Sequence, residues 1–143
     1  MPGDATRRIV VDGTAYVWRR RHTHDRGAPA VAKCSEVLTI YREGHKRYPL
    51  HIQFNNSGGW LTGYPQAGVL TRIKDGATYN LNRPAVVAAL IRWLLARGWS
   101  PDEPLDTDIL GEGYSLLGNA GAPREPAAGT PPADAPCAGT ESS

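Results

Sequence analysis

Two cysteines in 143 residues, Cys34 and Cys137, are too few for a disulfide framework. The longest apolar run, Ala85 to Ile91, ends at Arg92 and falls far short of the length needed to span a bilayer. The first residues, MPGDATRRIVV, lack the apolar stretch of a secretory leader, so a cytoplasmic protein with no membrane segment is expected. Enzyme signatures are missing as well. No G-x-x-x-x-G-K-[ST] loop is present to cradle phosphates, and Gly111-x-Gly113 has Leu116 where a dinucleotide fingerprint needs its third glycine. Ser115 lies in GYSLL and cannot form a nucleophile elbow, because position 117 is Leu. These absences favour a binding protein over an enzyme, and no cofactor is expected.

Acid is scarce in the first part of the chain and plentiful in the last. Residues 1 to 98 carry fifteen Lys and Arg against six Asp and Glu, a net charge of +9, whereas residues 99 to 143 carry one Arg against eight acids, a net charge of −7. A basic body beside an acid-rich end points to a polyanionic partner, for which the acidic end is expected to compete. Residues 121 to 143 contain no Ile, Leu, Val, Phe, Tyr or Trp. Such a stretch buries too little apolar area to offset its ordering entropy, so residues 119–143 are expected to be a disordered tail behind a single domain at 1–118.

The patterned region starts with RRIVV-DG-TAYVWRRRH. Asp12-Gly13 between β-branched and aromatic residues predicts a two-residue type I′ hairpin. The signal recurs at VLTRIK-DG-ATYNL, around Asp75-Gly76. Between these hairpins, SEVLTIY (35–41) and PLHIQFN (49–55) read as strands joined by the polar turn REGHKR. Leu50, Ile52 and Phe54 alternate with His51, Gln53 and Asn55, the pattern of a strand with one buried face. In NRPAVVAALIRWLLARGW, Val86, Val87, Leu90, Ile91 and Leu94 recur at helical spacing, with Asn82 as the cap, Pro84 in the first turn and Gly98 behind the last. DILGEGYSLLG (108–118) is expected to add a short edge strand. The fold class that follows is α+β: an antiparallel sheet of four to six strands packed against one C-terminal helix.

Asp12-Gly13-x-x-Tyr16-x-Trp18-Arg19, Pro84-x-x-Val87-x-x-x-Ile91 and Gly98-Trp99-x-Pro101 together resemble a group of short bacterial proteins with this layout. The resemblance covers about residues 7 to 101 and implies strands followed by a helix; those proteins have no assigned activity, so it implies no mechanism.

The chemistry concentrates in YVWRRRHTHD, residues 16 to 25. On a strand Tyr16, Trp18, Arg20 and His22 share one face, and Val17, Arg19 and Arg21 share the other. Arg19, Arg20 and Arg21, flanked by Trp18, are expected to neutralise phosphates, with Lys46, Arg47, Arg72 and Lys74 extending the basic surface if the hairpins align. The competing reading is an edge strand whose arginines block aggregation. A second functional reading is a protein-interaction module, of the immunity or accessory type, that meets an acidic protein through Trp60 and Tyr64 of the loop NNSGGWLTGYP. A third is a metal-dependent hydrolase, since His22 and His24 lie about 6.6 Å apart along a strand and can converge on one ion.

Overall fold

In the computed structural model the described residues are 6–24, 34–55, 59–62, 68–104 and 113–125. Strands β1 (Arg7–Val11), β2 (Thr14–His24), β3 (Cys34–Arg42) and β4 (His45–Asn55) form one antiparallel sheet in the order β1-β2-β3-β4. Strands β5 (Trp60–Thr62), β6 (Val69–Arg72) and β7 (Thr78–Asn80) form a second, three-stranded antiparallel sheet. Helix α1 spans Pro84–Ala96 and a short helix α2 spans Gly113–Asn119. The class is α+β as expected, but among the described residues there are seven strands in two sheets and a second helix.

Local chemistry accounts for several of these elements. Asp12 and Gly13 take φ values of 50° and 85°, the left-handed pair that a type I′ turn requires. The second Asp-Gly works differently. Only Gly76 has positive φ there, and Arg72 accepts from the Gly76 N–H and donates to Ala77, closing a longer loop than the predicted two-residue turn. Arg83, not Asn82, is the N-cap residue of α1, with Pro84 at its first position. At the other end Gly98 (φ 103°) donates to Leu95 O at 3.1 Å and Trp99 to Leu94 O at 3.0 Å. That pair of bonds is a Schellman motif, and it turns Trp99 back onto Tyr16, ring centroids 6.1 Å apart.

The segment expected as an edge strand contributes α2, with positions 105–112 outside the described residues. Its Gly113, Leu116 and Leu117 are buried, and Ala120 packs beside them. The spacing i, i+3, i+4, i+7 is that of one helical stripe. Gly113 fits because a Cβ there would lie 2.7 Å from both Gln53 O and the Phe54 ring, so α2 begins in close contact with β4. Described residues extend past 118, where Ala122 belongs to the core and the Glu125 N–H donates to Thr78 O at 2.8 Å; residues 126–143 of the expected tail lie outside the described residues. Any truncation of the acidic end must therefore begin after Glu125.

One face of the four-stranded sheet builds the core. Tyr16, Trp18, Leu38, Ile40, Leu50, Ile52 and Phe54 point inward against Val86, Val87, Leu90, Ile91 and Leu94 of α1. Leu70, Tyr79 and Leu81 join the same cluster, which places the second sheet on this inner side too. The opposite, outer face carries Val17, Arg19, Arg21, Val37, Thr39, Tyr41, His51 and Gln53 by alternation and register, and no described element packs over it. Among the described residues no helix is long and apolar enough to cross a membrane.

Candidate functional site

The YVWRRRH stretch divides between the two faces. Trp18 is only 2% exposed, with the Arg7 guanidinium 5.3 Å above its ring, so it cannot stack on a ligand without unpacking the core. Arg20 and His22 follow it onto the inner side, where Glu36 of β3 is fully buried directly across from His22. Arg20 Nη1 donates to Glu36 Oε1 at 3.0 Å, and His22 Nδ1 lies 2.7 Å from Oε2, its N–H donating to the carboxylate. The Gly68 N–H reaches Oε2 at 2.7 Å, and Arg20 Nε donates to Asn82 Oδ1 at 2.8 Å. This network explains how a strand bearing arginine on both faces can lie inside a sheet: a buried carboxylate supplies the counter-charge. Arg20 and His22 are committed to Glu36.

His22 is thus held by a carboxylate, and the His24 side chain lies outside what is described, as do Tyr64 and Asp25. Among the described residues, no group of three or more His, Cys, Asp and Glu is placed to hold a metal ion.

Arg72 and Lys74 lie at the β6–β7 connection, in the sheet that packs on the inner side, and so are not gathered with Arg19 and Arg21. Arg72 forms a two-pronged pair with Asp75 at 3.0 and 2.8 Å. Those bonds, helped by the Ala77 N–H, lower the Asp75 carboxyl to about 2. Because the folded-state value is depressed, the associated stability is present above the ordinary value of 3.8 and is lost as the pH falls towards 2. In an NMR titration Asp75 is expected to turn over near 2, and to move up towards 3.8 in an Arg72→Gln variant, which keeps the Ala77 N–H bond; an unchanged midpoint in the variant would refute the pairing in solution. Trp60 is occupied too. It stacks on Tyr114 at 4.4 Å and lies 6.0 Å from Tyr79, with Arg72 5.7 Å above it. Tyr114 is hydrogen-bonded to Thr62, and burial pushes its phenol well above the ordinary range.

What remains is the outer face. Arg19 projects from β2 in the row it forms with Thr39 and His51, which are paired across β3 and β4 and hydrogen-bonded at 3.0 Å, and Arg21 heads the next row, with Val37 and Gln53. Next to that row the register of β3 and β4 slips: Ile40 faces Leu50, but Arg42 faces His45. Lys46 to Pro49 therefore bulge opposite the single residue Tyr41. A bulge on an edge strand is where proline, lacking an N–H, fits a sheet. The bulge gives one wall of a shallow depression of about 330 Å³ lined by Thr6, Arg19, Thr39, Tyr41, Lys46, Pro49 and His51. Arg47 lies beside it in sequence, its guanidinium 5.4 Å over the Tyr48 ring. Sequence reading missed Tyr41, Thr39 and His51, although their alternation with Leu38, Ile40, Leu50 and Ile52 marks them as outer-face residues.

The distribution of carboxylates distinguishes this face. Arg8 is paired with Glu43, Arg20 with Glu36, Arg42 with Asp102, Arg72 with Asp75, Arg83 with Glu125 and Arg92 with Asp12. Among the described residues Arg19, Arg21, Lys46 and Arg47 have no carboxylate partner, and no acid lines the depression. No protein family, curated protein or solved structure matches the chain.

Proposed function

We propose that this chain is a cytoplasmic, non-enzymatic binding protein of bacterial type whose outer sheet face engages nucleic acid through its phosphates. The observation that carries the reading is a set of cations on this face with no carboxylate partner among the described residues. Most described carboxylates are consumed in ion pairs, while Arg19 and Arg21 on β2 and Lys46 and Arg47 on the β4 bulge have no carboxylate partner among the described residues, and Arg19 and Lys46 line one depression. Cations without a counter-charge attract a polyanion, which releases its own condensed counterions on binding. The net charge of +9 over residues 1 to 98 supplies the longer-range attraction.

The test is fluorescence anisotropy of labelled oligonucleotides over a salt series. Affinity is expected to fall linearly in log–log form, and an Arg19→Ala/Arg21→Ala/Lys46→Ala variant should flatten the slope by about 0.7–0.9 for each phosphate contact removed. For three contacts that is a loss of roughly two orders of magnitude at about 0.1 M salt. No binding at 50 mM salt, or a slope unmoved by the triple variant, would overturn the reading.

A further inference from the structure

We propose that the outer face takes single-stranded nucleic acid, with unpaired bases stacking on Tyr41 while Arg19, Arg21 and Lys46 hold the phosphates. This rests on the reading above and names its ligand class. Width is the first argument. The sheet β1-β2-β3-β4 has three interstrand spacings of about 4.8 Å, so it is about 14 Å across from axis to axis. The major groove of a B-form duplex is about 12 Å wide and admits a two-stranded ribbon, so this face cannot enter it. A duplex laid on the face would offer its phosphates alone.

The second argument is the aromatic. Tyr41 is partly exposed and, unlike Trp60 on Tyr114 or Tyr16 on Trp99, its ring meets no other described ring. It stands in the depression among Arg19, Lys46, Pro49 and His51. Only a base released from pairing can lay its π-face there. Spacing is the third. Arg19 and Arg21 are two residues apart on one face of β2, about 6.6–6.8 Å along the strand, comparable with successive phosphates of an extended single strand. His51 contributes a planar edge: its Nδ1 is engaged by Thr39, which leaves Nε2 for a base or phosphate.

The experiment compares a thymidine 12-mer, a blunt duplex of equal length and an abasic 12-mer on the full chain, by anisotropy. The thymidine strand is expected to bind at least about fivefold tighter than the duplex or the abasic strand. Tyr41→Ala should weaken thymidine binding by about 5- to 150-fold, the stacking of one base, with its salt slope unchanged. Tyr41→Phe, which keeps the π-face, should bind as the parent does, and thermal melting of both variants verifies that they fold. Duplex binding equal to or tighter than the single strand, or an affinity unaffected by Tyr41→Ala, would overturn the single-strand inference. The nucleic-acid reading would then still stand on its own salt slope. Absence of binding by all three probes at 50 mM salt would overturn both.

Discussion

Glu36→Ala is expected to destabilise the fold by about 3–5 kcal/mol, read as a lowered urea midpoint at unchanged m. Glu36 is fully buried and holds three donors: Arg20, His22 and the Gly68 N–H. Removing it leaves the Arg20 guanidinium, only 11% exposed, without a carboxylate in a low-dielectric setting. Breaking one side of a buried pair costs more than the pair itself contributes, because desolvation of the surviving charge is no longer offset. A loss of that size is a large share of the 5–15 kcal/mol that keeps a typical domain folded. Deleting both charges should be milder. Arg20→Met/Glu36→Leu is expected to lose less than Glu36→Ala alone, its remaining cost coming from the Gly68 N–H, the His22 ring N–H and Asn82 Oδ1, which lose these bonds. If Glu36→Ala cost under about 1 kcal/mol, the carboxylate would not be what holds Arg20 inside. Two neighbouring arginines should thus fail in different ways: Arg20 variants in stability, Arg19 variants in the salt slope with stability within about 0.5 kcal/mol of the parent.

Gly68→Ala is expected to lower stability by about 3 kcal/mol, from strain at one backbone position that also closes the Glu36 network. Gly68 has φ of 90°, a region that costs an L-residue about 1–2 kcal/mol. A Cβ there would run into Asn82 Nδ2 and lie 2.9 Å from Arg20 Nε, on the two side chains joined by the bond from Arg20 Nε to Asn82 Oδ1. Relief requires moving Arg20 or Asn82, or drawing back the Gly68 N–H that donates to Glu36, and overpacking of this kind adds about 1–3 kcal/mol. Urea unfolding of Gly68→Ala checks the size, and combining it with Glu36→Ala checks the mechanism. The double variant should lose much less than the sum of the two, since both act on one network. Strict additivity would show that Gly68 is strained for some unrelated reason.

Residue alternation alone placed Tyr16, Trp18, Arg20 and His22 together and set Arg19 and Arg21 opposite them, and the register bears this out. It did not tell which side faces the core. That depended on Glu36, which stands on another strand, and on Gly68, which arrives from a third part of the chain. Read singly, Glu36 was one acid without a partner. The depression was illegible for a similar reason: Tyr41, Pro49 and His51 meet through a register slip, and Lys46 and Arg47, taken as turn residues, are strand residues within it.

By itself the sequence determined what a few neighbouring residues decide: the Asp12-Gly13 turn, the inward alternation of Leu50, Ile52 and Phe54, the amphipathic helix ended at Gly98, and the charge imbalance along the chain. These are short-range preferences of backbone dihedrals and solvation, so they can be read one segment at a time. Tertiary structure alone decided the second sheet, the pairing of Arg20 with Glu36, the departure of Arg72 and Lys74 to the other side, and the isolation of Arg19, Arg21 and Lys46 from any described carboxylate. Charge pairing falls off over a few ångströms in space, and distance along the chain carries no record of it.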